Sequence, residues 1–369
     1  MAGRSTRKSA SILEWGLLVA VLAGAAWVIW SELRPSRSSA PVQMARAIAI
    51  TAVQLPGSAV MLNGTRLAGA LALSSPDSDF GGLSGLAALP DGRLLAVTDS
   101  GRWLLMRPVL APEKGVARLV GVADASMGSL PASPGAEKYE MDAEAAAITP
   151  AGDTLVSFEQ QHRIGQYQGI PPRRLLATRW HSDAMRWQAN GGGEALALWP
   201  DGAVLWLPEH ARAGVHSSVF TAAGGRGRAV TVRGLPGFAI TDAAVLDDNR
   251  VLLLHRRFTG IETAAALSVI DAGVLRAGGT AVPARLLLRW DRASAWPVDN
   301  MEGAALVRES NQLALYLVSD DNYSSTQRNL LLRLELPDWL AAAPLPPAHT
   351  KKRPEDAPGR RNPANWAAP

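Results

Sequence analysis

The sequence predicts an all-β fold, a β-propeller of six blades preceded by one N-terminal apolar helix, and three observations carry that expectation. The first is a sixteen-residue hairpin pattern, clearest from Glu194 to Glu209. Alternating apolar residues run up to Pro200-Asp201-Gly202 and away again, which reads as strand, tight turn and returning antiparallel strand. The second is recurrence. Ser84 to Asp99 turns at Pro90-Asp91-Gly92, Glu144 to Glu159 at Pro150-Ala151-Gly152, and Asp242 to Arg257 around Asp247-Asp248-Asn249. Glu302 opens a fifth copy whose second strand ends at Asp320-Asp321-Asn322. The third is the period of roughly 48 to 60 residues between copies, which suits blades of short strands. A blade cannot bury both faces alone, so it stacks on its neighbours.

Taken in order, the chain of 369 residues opens on Arg4, Arg7 and Lys8, succeeded by an apolar stretch from Trp15 to Trp30. Residues 1–33 therefore read as a signal anchor or a cleavable signal peptide, with the positive-inside bias placing the rest of the chain outside the cytoplasm. Uncleaved, the segment makes a single-pass protein of the inner membrane with its propeller in the periplasm; cleaved, a periplasmic or secreted one. Residues 34–46 form a Ser/Pro/Arg linker and 47–336 the propeller. Short β-like runs between Ala47 and Leu73 supply a strand that closes the ring, or a sixth blade. Weaker strand candidates at Ala117 to Val122, His162 to Tyr167, Leu175 to Trp180, Ser217 to Val232 and Leu267 to Leu288 supply outer strands. Residues 337–369, rich in Pro, Ala and Lys/Arg, read as a tail with no fold of its own.

Charge and composition narrow the function. The net charge of +4 belongs to the tails, because residues 40–336 hold 27 basic and 28 acidic residues. No Lys/Arg cluster interleaved with aromatics occurs in that body, which argues against nucleic-acid binding. The chain has no cysteine, so thiol nucleophiles, disulfides and thiolate metal sites are excluded. No Gly-x-Ser-x-Gly or His-Glu-x-x-His motif is present. The chain reads as a monomer.

Acidic residues instead recur at the open ends of the hairpins: Asp99, Asp142, Glu144, Glu159, Glu194, Glu209, Asp242, Glu302, Asp320 and Asp321. If the blades radiate from one axis, these ends converge on one rim. Carboxylates brought together repel one another, and a hard divalent cation with oxygen ligands, Ca²⁺ above all, relieves that cost. His255-Arg256-Arg257 ends the fourth hairpin, where a guanidinium could grip an anion, and strand alternation turns one of the two arginines away. Ser84 stands where other copies carry an acid, as a ligand-binding group. His162, three residues after Glu159, is a candidate acid or base. The runs Gly81-Gly82 and Gly191-Gly192-Gly193 permit close backbone approach but lack the Lys-Ser/Thr of a phosphate-binding loop.

Further motifs resemble a known family. Phe80-Gly81-Gly82-Leu83-Ser84-Gly85-Leu86 with Val97-Thr98-Asp99-Ser100-Gly101, and Asp142-Ala143-Glu144 with Glu159 and His162-Arg163-Ile164, are similar to the phytase-like family described as having "esterase-like activity of phytase". So are Gly193-Glu194-Ala195-Leu196, Asp299-Asn300-Met301-Glu302-Gly303, Val318 through Tyr323, and Gln327-Arg328. The resemblance covers about residues 78–336 and implies an exported bacterial propeller acting on phosphate esters. One departure is Leu254-His255-Arg256, where the family is expected to read Leu-Glu-Arg.

The resulting expectation is a hydrolase of phosphoric or other esters. Asp99, Asp142, Glu144, Glu194, Glu302, Asp320 and Asp321 hold Ca²⁺, Arg256, Arg257, Ser84 and Asn322 bind a small anionic substrate, and Glu159 or His162 moves protons. The alternatives are a non-catalytic propeller binding a ligand or envelope protein at the same rim, and a single-metal lactonase-like propeller.

Overall fold

The computed structural model describes residues 45–340, apart from 58–59, 114, 133–137, 260 and 310–311. The expected N-terminal helix, most of the linker and most of the C-terminal tail lie outside these residues. Among the described residues no helix is long and apolar enough to cross a membrane.

The fold is all-β, with five blades rather than six, antiparallel except where Ala281–Pro283 adds to the edge of the third in parallel. The inner strands are Leu83–Ala88, Ala143–Ile148, Ala195–Leu198, Ala239–Val245 and Asn300–Glu309, one per blade from the first to the fifth. The predicted hairpins are the inner and second strands of every blade. At their turns, Asp91 and Asp201 each accept from the backbone N–H two residues on, at 3.1 and 2.9 Å. Such side-chain turns are what Pro-Asp-Gly encodes. The weaker candidates supply the third and fourth strands.

The N-terminal runs do not make a sixth blade. Thr65–Ser74 pairs with Asn329–Glu335, and Thr51–Gln54 pairs with Thr65–Ser74, so both are outer strands of the fifth sheet. Ring closure is thus a strand from the start of the domain completing the last blade, which leaves no open seam.

Five apolar clusters lie one at each blade interface. Leu94 and Ala96 face the fifth blade, whereas Leu95 and Val97, on the opposite side of the same strand, face the second. The second strands, expected to alternate, are instead continuous apolar runs such as Val204–Leu207, because both faces are covered. The fourth interface carries Trp290 and Trp296, and the third carries Trp199 against Phe220, so tryptophans are packing elements here.

Inner strands press together near the axis. A Cβ at Gly303 would lie 3.0 Å from the backbone of Gly85, and one at Gly85 would lie 2.6 Å from Glu144 O. Into this crowded centre projects Asp242, which sequence reading put on the rim. Its carboxylate accepts from Ala304 N at 2.7 Å in the fifth blade, from its neighbour Ala243 N at 2.8 Å, and from the backbone of Leu86 in the first. Asp242 therefore ties three blades together. Replacing it with alanine leaves those buried N–H groups without an acceptor and is predicted to cost about 1–3 kcal/mol in urea unfolding. An unchanged unfolding midpoint would contradict the latch.

Candidate functional site

The site grows from an irregularity repeated at one end of the blades. In the first, second and fifth blades the inner strand carries one unpaired residue: Ser84, Glu144 and Glu302. Such β-bulges re-aim a side chain. Glu194 precedes the inner strand of the third blade at the corresponding place. In the fourth blade the unpaired residue is Thr241, not Asp242. The repeat is displaced by one residue there, which carries Asp242 to the axis.

The second strands contribute the next ring. Asp99 and Glu159 donate their backbone N–H to Gly82 O and Asp142 O, respectively, at 3.0 and 2.9 Å. Asp320 pairs with Asn300, and Arg256, in the fourth blade, pairs with Ala239. Glu209, past the second strand of the third blade, completes the set. The rim thus presents four carboxylates and one guanidinium above the bulge residues.

Asp142, Glu144 and Glu159 come closest to a cation site, each offering an oxygen within 4.8 Å of the others. Burial raises Glu144 well above the usual carboxyl range, and Asp142, Glu159, Glu302 and Asp99 push it further in the same direction. Burial likewise raises Glu194, with Glu144 and Glu159 adding to it. Glu159 is pushed up to about 7 by burial, partly offset by the N–H groups of Gly191 and Gly192 and a hydrogen bond with Glu194. Glu302 is raised to about 8 by burial despite Arg256, and its Oε2 is buried with no hydrogen-bond partner. Burial and Asp99 raise Asp320. Glu209 goes the other way, because Arg256 outweighs its burial.

The raised carboxyls bind more protons folded than unfolded up to about pH 8. His162, His216 and His255, lowered by burial, oppose them only below about pH 6.5, so the protein should lose stability as pH rises from about 6.5 to 8. A metal-free melting temperature that falls from pH 6.5 to pH 8, with added Ca²⁺ flattening the fall, is the predicted result. A flat metal-free profile would mean the acids are not held in this buried state.

The two arginines separate as alternation requires. Arg256 points inward, bonding to Glu302 at 2.5 Å and also to Glu209 and Asn300. Arg257 points out to Glu262 at 3.2 Å, which removes it from the rim. His255 is fully buried on the blade face, with Nε2 2.6 Å from Ser268 Oγ, so the residue type there does not alter the rim. His162 is only 2% exposed and lies edge-on to Trp187 beneath Gly192, whose Cβ would fall 2.2 Å from the imidazole. Its burial lowers its pKa, and it is packed under the rim rather than open to it.

The remaining predicted residues are engaged in shaping the rim. Ser84 Oγ donates to Gly82 O at 3.2 Å. Asp321 accepts from Gly82 N and Tyr323 N, both at 3.1 Å, and joins the fifth blade to the first. Asn322 donates its N–H to Asp320 at 2.6 Å from a left-handed backbone. Sequence reading missed Tyr323, whose hydroxyl lies 2.8 Å from Ser100 Oγ and donates to Gly81 O. Its ring explains the glycine pair: a Cβ at Gly82, φ +63°, would lie 2.9 Å from it and 2.3 Å from Asp99 Oδ1. The glycine runs admit rim side chains to the backbone.

A family model described as phytase-like, "esterase-like activity of phytase", matches residues 78–323. Among solved structures, virginiamycin B lyase from Staphylococcus aureus is 9% identical, with 78% of this chain and 100% of that one covered at a TM-score of 0.37. A putative gluconolactonase is 12% identical, covering 83% and 97% at a TM-score of 0.41. Regucalcin, a calcium-binding protein from Agrobacterium tumefaciens, is 13% identical, covering 80% and 92% at 0.35. No match was found among curated proteins.

Proposed function

The chain belongs to the phytase-like family, and from that membership and the acidic rim we propose that it is a divalent-metal-dependent hydrolase of phosphoric esters. The observation that carries this reading is the trio Asp142, Glu144 and Glu159, three oxygen donors within 4.8 Å of one another. Hard oxygen donors in this arrangement fit Ca²⁺. Asp142, Glu144 and Glu159 would hold the ion, with Asp99 and Asp320 completing the ring around it.

A bound divalent cation would supply neutralisation of the ester's phosphate charge and activation of water. Glu194 is the proton reservoir: burial favours its protonated form, and Glu159 is hydrogen-bonded to it. In hydrolysis it would protonate the leaving alkoxide and be reprotonated by the proton that the attacking water gives up as its oxygen bonds to phosphorus. This assignment moves Glu194 from metal ligand to acid and Glu159 from acid to ligand, and leaves His162 a packing role. Arg256 already has three partners at the rim, so it orders Glu209 and Glu302 instead of closing on the substrate.

In the same reading, the apolar segment Trp15 to Trp30 anchors the propeller on the outer face of the bacterial inner membrane, and the chain works as a monomer on a small anionic substrate. The test is release of inorganic phosphate from an ester panel with Ca²⁺ and with EDTA. Turnover that requires the metal supports the proposal. Absence of turnover across the panel, with a small ligand still bound at the rim, would favour a non-catalytic binding propeller.

A further inference from the structure

Arg256 occupies a place that the repeat otherwise gives to a carboxylate. Asp99, Glu159, Glu209 and Asp320 close the second strands of four blades, and Arg256 is their counterpart in the fourth. Its guanidinium reaches Glu302 and Asn300 through one nitrogen and Glu209 through the other. Asn300 in turn donates to Asp320 at 3.4 Å. Oxygens of Glu209, Glu302 and Asn300 thus close on one cation, and that cation is a side chain. Glu302 keeps a second oxygen, buried and without a hydrogen-bond partner, in the same pocket.

These are the hard donors a divalent ion takes, and a buried carboxylate that loses its counter-charge needs a proton or a metal in its stead. We propose that Arg256 is the resident cation of a second divalent-cation subsite formed by Glu209, Glu302 and Asn300. The chain therefore takes one metal ion, at Asp142–Glu144–Glu159, and needs none here. The inference rests on the metal-binding reading for the count at the first site, but the content of this second subsite is independent of it.

The experiment is calorimetric titration of Ca²⁺ into the full, EDTA-treated chain, alongside Arg256→Gln and the double variant Arg256→Gln/Glu302→Gln. The expected stoichiometry is one for the parent, two for Arg256→Gln, and one again for the double variant. Melting of Arg256→Gln is measured in parallel, and should rise with Ca²⁺ beyond the concentration that saturates the parent. A folded Arg256→Gln with the parent's stoichiometry would overturn the proposal, as would a parent that already binds two ions. So would an Arg256→Gln protein that stays unfolded in millimolar Ca²⁺, because the carboxylates would then be unable to exchange guanidinium for metal. If the parent binds none and Arg256→Gln binds one, this proposal stands and the metal-dependent function falls.

Discussion

Glu194→Gln should lower phosphate-ester turnover by about 10²–10⁴-fold, the range spanned by a positioned acid or base. The side chain keeps its volume, so the fold should survive. Gln retains a hydrogen bond to Glu159 but cannot deliver a proton. Glu194 is buried and held above the usual carboxyl range by that burial and by Glu144 and Glu159, the condition an acid needs near neutral pH. The decisive comparison is kcat at saturating Ca²⁺, with circular dichroism to verify folding. Parent-like turnover would remove Glu194 from the chemistry.

Trp199→Ala should be the most damaging of the core substitutions considered, at about 3–5 kcal/mol. The indole is 1% exposed in the cluster between the third and fourth blades, packs against Phe220 with centroids 6.0 Å apart, and donates to Asp247 O at 3.2 Å. Truncation leaves a cavity and an unpaired carbonyl together. Trp199 sits beside the Pro200-Asp201-Gly202 turn, at the end of the blade away from the rim, so the variant should still bind Ca²⁺ where it is folded. Denaturant unfolding measures the loss, and a loss below about 1 kcal/mol would show that the interface collapses around the gap.

The hairpins were readable because they are local: four of the five fit two strands and a turn within sixteen residues, two of them with Pro-Asp-Gly at the turn. So was the concentration of acids at their open ends, since Glu144, Glu194 and Glu302 each begin a copy and Asp99, Glu159 and Asp320 each close one. The blade count was not local. It depends on Thr65–Ser74 finding Asn329–Glu335 across the length of the domain, and no short-range signal states that pairing.

Two causes displaced site residues from where counting put them. A β-bulge adds a residue to a strand without an obvious mark in composition, and it shifts every assignment made by counting. In the fourth blade the unpaired residue is Thr241, so Asp242 goes to the axis and Arg256, not Arg257, reaches the rim. Alternation required that the two arginines diverge, but it did not supply the absolute phase. The second cause is that packing is three-dimensional. His162 comes soon after Glu159 in sequence yet lies under Gly192, and Tyr323 reaches Gly81 from a different blade.

The most direct test of the central claim is a Ca²⁺ titration of the EDTA-treated protein and of Glu144→Gln, monitored by calorimetry. The account predicts saturable binding in the parent and its loss in the variant, because Glu144 is the bulge residue that places an oxygen between Asp142 and Glu159. A folded parent that binds no divalent cation, or a Glu144→Gln that binds it as well as the parent, would contradict it.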